Sequence, residues 1–246
     1  MYHAKVTFAT TARILRQLKH DPRTIALIFV VPCILLSLLR WMYSDNLTVF
    51  NHIAPALLGV FPFIIMFIIT SITTLRERTS GTMERLMATR LGKLDLIVGY
   101  MLAFGLLAIV QALLASGLLL YGFGLVVAGP VWFLVVMALA DALLGTALGL
   151  FVSAFARTEF QAVQFMPAFV LPQFLIGGLL VPLAQMPSVL ESIAYFLPLT
   201  YAIDALSRVV SEVILSSESW RDLWVVLGCV LAAVLLGALT LRRQSK

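Results

Sequence analysis

Apolar residues fall in six long runs, over residues 24–43, 54–75, 96–121, 131–156, 160–183 and 222–241, with the polar residues gathered between them. About 20 apolar residues cross the hydrocarbon core of a bilayer as a helix, so each run predicts a membrane span. Pro32, Pro55, Pro62, Pro167 and Pro172 lie within or near the starts of these runs. Membrane helices tolerate them because neighbouring groups re-satisfy the freed backbone. Ahead of the first run, Phe8, Thr11, Ile14, Leu15 and Leu18 share one side of a helical wheel, and Arg13, Arg16, Gln17 and His20 the other. This predicts an amphipathic helix in the headgroup plane with its basic face toward anionic lipid. A helix packed on protein carries the same pattern. Asp21-Pro22 stops it and starts the next helix.

The stretch Val189 to Leu206 is apolar but interrupted by Glu191, Pro198 and Asp204. Charge decides against a seventh span. With six, one side holds Lys5, Arg13, Arg16, Lys19, Arg23, Arg76, Arg78, Arg85, Arg90, Lys93, Arg157, Arg242, Arg243 and Lys246, and the other only Arg40, Arg208 and Arg221. Lys and Arg concentrate on the cytoplasmic side, which places both termini there and implies a multi-pass protein of the plasma (inner) membrane. Val189 to Leu206 then predicts two short helices dipping into the outer leaflet, kinked at Pro198.

Composition agrees: 61% of residues are hydrophobic and 12% charged, far from a soluble domain. The net charge of +5 follows from the loop asymmetry and does not call for nucleic acid. Cys33 and Cys229 sit inside apolar runs, and His3, His20 and His52 are scattered, which predicts neither a disulfide framework nor a metal site. The first 23 residues are mixed and polar, unlike a cleavable signal peptide. No G-x-x-x-x-G-K-[ST] occurs, so the chain is not expected to hold ATP, and no other enzyme motif is present. The expected fold is an all-α polytopic membrane protein, one transmembrane domain over 1–246. Its parts are a cytoplasmic amphipathic helix (1–23), two spans (24–75), a cytoplasmic loop (76–95), three spans (96–183), an external helical pair (184–221) and a last span with its tail (222–246).

Three features could carry function. Asp141, Gly145, Gly149 and Ser153 recur every four residues and give one helix a small, polar face. This reads either as a cavity or coupling residue, or as a helix-packing seam. Gln161, Gln164 and Gln173 make the fifth run polar; they line a path or satisfy backbone freed by Pro167 and Pro172. The third is the loop from Arg76 to Asp95, whose short helical core sets Met83, Leu86 and Met87 on one face. A basic segment with its own apolar face is suited to a partner protein.

The loop RERTSGTMERLMATRLGKLDLIVGY resembles the segment between the second and third spans of ABC-2-type permeases, the drug, lipid and polysaccharide exporters. IGGLLVPLAQMPSVLESIAYFLPLTYAIDAL resembles the same family's segment between the fifth and sixth. The resemblance implies that Glu77 to Thr89 is a coupling helix docking on an ATPase subunit that binds ATP and magnesium. Met83, Leu86 and Met87 would fill its groove, Arg78, Glu84 and Arg85 would form the rim, and Gly81 and Thr82 would belong to the same contact. Arg157, Thr158 and Glu159 would make a second contact, and Phe8 to His20 the interfacial connecting helix. The family plan is two permease chains, here a homodimer, with two ATPases. Asp141, Gln164 and Gln173 are candidate path residues for a lipophilic or amphipathic cargo. Export of polysaccharide or lipid-linked glycan, a proton-coupled antiporter using Asp141, and a scaffold whose loop recruits a partner are the alternatives.

Overall fold

The computed structural model describes residues 2–87 and 92–240. The described residues form α1 (Tyr2–Lys19), α2 (Pro22–Met42), α3 (Leu47–Thr79), α4 (Thr82–Met87), α5 (Lys93–Gly117, with a π turn Leu118–Gly122), α6 (Val131–Ser153), α7 (Glu159–Ile176), α8 (Ser188–Ala194), α9 (Pro198–Ser211) and α10 (Ser217–Thr240), with no strand. Five of these, α2, α3, α5 with its π turn, α6 and α10, are long and apolar enough to cross a membrane.

The fifth predicted span is shorter than the sequence suggests. It stops at Ile176 rather than 183, where Gly177 caps it and Gly178 turns the chain at φ +93°, a backbone region open mainly to glycine. Its eighteen residues reach roughly 27 Å, but α7 is not among the helices apolar enough to cross, and a sixth crossing by length and composition would be the bent pair α8 and α9. Beyond it, α8 and α9 meet at 92°. Pro198 is the first residue of α9, where a missing N–H breaks no helical bond, so the kink falls where the sequence places it.

α3 is the central helix, packed against α2, α5, α6, α7 and α9. Its 33 residues extend roughly 50 Å, so its last turns stand clear of a ~30 Å apolar layer. It runs parallel to α6 and in constant register: Gly59 faces Asp141, Phe63 faces Gly145, and Phe67 faces Gly149. A Cβ on Gly145 or Gly149 would collide with the carbonyl oxygen of the facing phenylalanine. Here the two backbones touch. The four-residue repeat is a packing seam of the small-residue kind.

The carbonyl freed by Pro32 is taken up from a neighbouring helix. Pro32 has no N–H for the carbonyl of Ile28, and the buried amide of Gln111 on α5 donates to that oxygen at 2.7 Å. α1 lies against the start of α5, burying Thr7, Thr10, Ile14 and Leu18. Thr11 donates to the Gly99 carbonyl at 3.2 Å, and a Cβ on Gly99 would fall 2.9 Å from Thr10. The helix is thus seated on protein along one side, while Phe8, at the edge of its apolar face, is 66% exposed. At the far end Arg208 of α9 pairs with Asp204 at 2.6 Å and with Glu218 of α10 at 2.5 Å.

The seam yields a direct test. Gly145→Leu should lower thermal stability by the equivalent of about 1–3 kcal/mol or more, because neither backbone can withdraw. Gly228→Leu, where a new side chain meets nothing within 4 Å, should leave the melting temperature within error. Equal melting temperatures for the two variants in detergent would show that the helices are not in backbone contact.

Candidate functional site

At the end of α3 that extends past the apolar layer, three consecutive side chains each reach a different helix. Arg76 donates twice to Glu159 at the start of α7, at 2.7 and 2.9 Å. Glu77 accepts two bonds from Arg13 of α1, at 2.9 and 3.1 Å, and a third from the Tyr100 hydroxyl of α5. Arg78 donates to the Ser153 carbonyl, the last of α6, where a cation also meets the negative end of the helix dipole. Helical spacing explains the division: successive residues point about 100° apart, so three in a row cover most of the circumference.

The middle residue carries the largest energetic weight. Glu77 is buried, and a buried carboxylate without partners is strongly destabilising. Arg13 holds it bidentately, the geometry in which guanidinium and carboxylate match best. Burial alone would lower the pKa of the Arg13 guanidinium; the hydrogen bond and charge of Glu77 outweigh that and hold it above its ordinary value. Asp21, at the turn between α1 and α2, is held below the usual carboxylate range by the Thr24 hydroxyl and backbone N–H, which it caps.

Beyond Arg78 the chain turns at Gly81, with φ +71°, into the six-residue α4. This divides the Glu77 to Thr89 segment that the sequence treats as one helix: Glu77 and Arg78 belong to α3, and only Thr82 to Met87 form the separate piece. Ser80 and Thr82 share a hydroxyl hydrogen bond of 3.0 Å across the turn. Met83 is 3% exposed and packs into the cluster of Ile14, Leu96, Ile97 and Tyr100, so its side chain anchors α4 to this chain. Arg85 is exposed. Glu84, Leu86 and Met87 lie on the α4 backbone, and Thr89 lies outside the described residues. Arg78 is half-buried and committed to α6. A cleft of about 260 Å³ opens between α1, α3 and α4, lined among others by Leu18, Asp21, Arg76, Glu77, Ser80 and Thr82.

The second predicted contact is brought to the first. Thr158 caps α7 by accepting from the Gln161 N–H at 3.1 Å, Arg157 is exposed, and Glu159 reaches Arg76. The candidate path residues are not brought together. Asp141 is fully buried in the α3–α6 seam beside Gly59 and Leu206, with no protein donor to either carboxyl oxygen. Gln173 is buried and bridges α7 to α9, donating to the Phe169 carbonyl at 2.8 Å and accepting from the Leu199 N–H at 3.3 Å. Gln164 is exposed on the outer face of α7, among exposed Phe160, Val163 and Leu171. Sequence reasoning missed the Arg13–Glu77–Tyr100 cluster and Gln111. The signal for the first was a carboxylate set between two arginines at a helix end, but nothing in a single sequence joins positions 13, 77 and 100.

The family model described as ABC-2 type transporter matches residues 5–210. ABC transporter G family member 20 of Dictyostelium discoideum is 26% identical over 205 residues, 82% of this chain and 28% of that protein. The probable multidrug ABC transporter permease YbhR of Escherichia coli K12 is 23% identical over 188 residues, 76% of this chain and 51% of its own. The linearmycin resistance permease protein LnrN of Bacillus subtilis is 28% identical over 144 residues, 57% and 36% of the two chains. The chain therefore spans about half or less of the length of these curated relatives. The matched region runs from α1 through α9 and takes in the α3 junction, the α3–α6 seam and the bent α8–α9 pair; with it, this chain belongs to the ABC-2 type transporter family.

Proposed function

We propose that the chain is the transmembrane permease subunit of an ATP-binding cassette exporter, carrying a lipophilic or amphipathic cargo and driven by separate ATPase subunits. The observation that carries this reading is the junction at the end of α3. Four helices are tied there by Arg76, Glu77 and Arg78, and α4 hangs from it at Gly81 with Arg85 exposed. A short helix seated by Met83 on a rigid long one transmits a push without dissipating it. The cleft between α1 and α4 and the turn at Arg157, Thr158 and Glu159 are the surfaces on which an ATPase subunit would bear, the two joined by Arg76–Glu159. Two such permeases, forming a homodimer, would frame the path, with the exposed face of α7 and its Gln164 turned toward it. Both termini, α1 and α4 would be cytoplasmic in a multi-pass inner-membrane protein. ATP and magnesium would be held by the partner. The multidrug and resistance names of the relatives support a drug-like cargo over a glycan.

The work of transport would then be a change in how α3 and its attached helices sit against the rest. ATP-driven closure of the ATPase subunits changes the relative stability of the two arrangements, and only that difference can move the equilibrium. A second reading, proton-coupled antiport, is favoured by one observation: the carboxyl of Asp141 is buried at the middle of α6 without a protein donor.

Three outcomes separate these. In proteoliposomes containing permease and ATPase, Glu84→Lys should reduce export by at least about tenfold while ATP hydrolysis and membrane insertion persist; undiminished efflux removes α4 from the coupling role. Arg76→Glu should also impair export, and the charge-swapped pair Arg76→Glu with Glu159→Arg should restore much of it. Both residues are half-exposed, so neither change should shift stability by more than about 1 kcal/mol, and a melting temperature that collapses would mark the pair as structural instead. Asp141→Asn should affect ATP-driven export less than Glu84→Lys does. Abolition by Asp141→Asn of an efflux driven by a proton gradient, with no ATPase present, would establish the antiporter.

A further inference from the structure

α1 has an outer face that the proposed coupling does not use. Opposite Ile14 and Leu18, an open hollow of about 610 Å³ is lined by Ala9, Ala12, Arg13, Arg16, Gln17 and His20. Two alanines form its floor, so a bulky anion can approach the helix while longer side chains reach around it. Nδ1 of His20 lies 2.7 Å from the Arg16 carbonyl. A carbonyl only accepts, so Nδ1 is the donor in that bond and Nε2 is left for another partner.

One basic residue of the hollow, Arg13, is balanced by Glu77, and the rest of its basic charge is not. No acidic residue precedes Asp21 in the chain. The nearest carboxylates are engaged: Glu77 by Arg13 and Tyr100, and Asp21 by Thr24. Among the described residues Arg16 and the neighbouring exposed Lys19 have no carboxylate partner. Depth identifies the anion. Thr10 and Thr11 rest on Gly99, roughly 9 Å along α5 from its first residue, which sets α1 beside the beginning of a membrane-length helix. The exposed Phe8 flanks the basic arc on the same open side. A cationic arc bordered by an apolar ring, beside the end of a span, suits the headgroup layer better than an acidic protein surface, which would offer Phe8 nothing.

We propose that this face of α1 is a binding site for the phosphate of an anionic phospholipid, held by Arg16, His20 and Arg13 over the Ala9–Ala12 floor. Arg13 gives the site a consequence. Its guanidinium also holds Glu77, so a lipid phosphate that draws on Arg13 loosens or re-aims the tie between α1 and α3. The lipid composition of the leaflet then tunes the junction itself. This assignment concerns the permease alone and stands or falls independently of its cargo and its ATPase.

The test uses the purified full chain in neutral detergent, offered equal amounts of phosphatidylglycerol and phosphatidylcholine, with retained lipid read by native mass spectrometry. The wild type should retain phosphatidylglycerol with about tenfold preference or more, each basic residue near the surface contributing about fivefold. Arg16→Gln with His20→Gln should cut that preference at least about fivefold, leaving phosphatidylcholine retention and the melting temperature unchanged. Arg85→Gln, an exposed arginine on α4, should have no effect. Equal retention of the two lipids by the wild type, or a preference that survives in the double variant, overturns the site. So does displacement of phosphatidylglycerol by inorganic phosphate, which would mark a free-anion site. Unchanged lipid retention in a double variant that no longer binds an ATPase would assign the face to protein and overturn it as well.

Discussion

A carboxylate placed where helices pack closely at the edge of a bilayer has to be paired, and Glu77 is paired from two sides at once. Arg13 grips it with two parallel hydrogen bonds and Tyr100 adds a third, while only 6% of the residue meets solvent. Removing a partner would leave a buried charge, a loss of several kcal/mol in buried pairs. The same interaction fixes geometry. A bidentate guanidinium sets the angle at which α1 crosses the end of α3, and the tyrosine sets the distance to α5. Neutral packing at these positions would be as stable but would not define a single arrangement so sharply; the charge supplies direction.

From that knot the rest of α3 inherits its stiffness. Arg76 and Arg78, on either side, extend the same fixation to α7 and α6. Along its length the helix is locked to α6 by glycines that bring the two backbones into contact. Close-packed interfaces of this kind shift between discrete arrangements rather than bending continuously. What remains free to turn is the short piece beyond Gly81, and Met83 limits even that. A push on α4 would therefore be delivered to a rod about 50 Å long, and through its attachments to the bundle around it.

The sequence shows some layers of this clearly and others not at all. Helix positions follow from apolar runs and proline placement, because a bilayer forces its helices to announce themselves in composition. The kink at Pro198 was legible for the same local reason, whereas the turn at Gly81 was not, and Glu77 to Thr89 reads as one helix. The small-residue repeat on α6 was visible too, though whether it lined a cavity or a seam needed the opposing helix. Tertiary polar contacts are a different case. The helical wheel assigns Arg13 to the basic outer face of α1, yet its side chain turns inward to a carboxylate 64 positions away. Likewise the amphipathic pattern offers Met83 to a partner, whereas its side chain is buried against this chain's own α1 and α5. A wheel gives directions around one axis and carries no information on which neighbour stands there.

Asp141 shows how such a structure can be held close to a second arrangement. A buried polar group with no partner costs about 1–3 kcal/mol in mutational series, and neither oxygen of this carboxyl meets a protein donor. Gly59 makes room for it; a Cβ there would fall 2.9 Å from Oδ2 and 2.8 Å from Leu206. One and two turns further along, Gly145 and Gly149 press the same helices together. One end of the seam therefore favours contact while the other gains from anything that lets polar groups reach the carboxyl. Separating α3 from α6 at that end would relieve Asp141 and expose Gly59, while the Arg78 bond to the Ser153 carbonyl kept the opposite ends joined. Motion of the pair would then resemble the opening of a hinge fastened where Arg78 meets Ser153, in which the small-residue seam supplies the closing force and the unpartnered acid the opposing one.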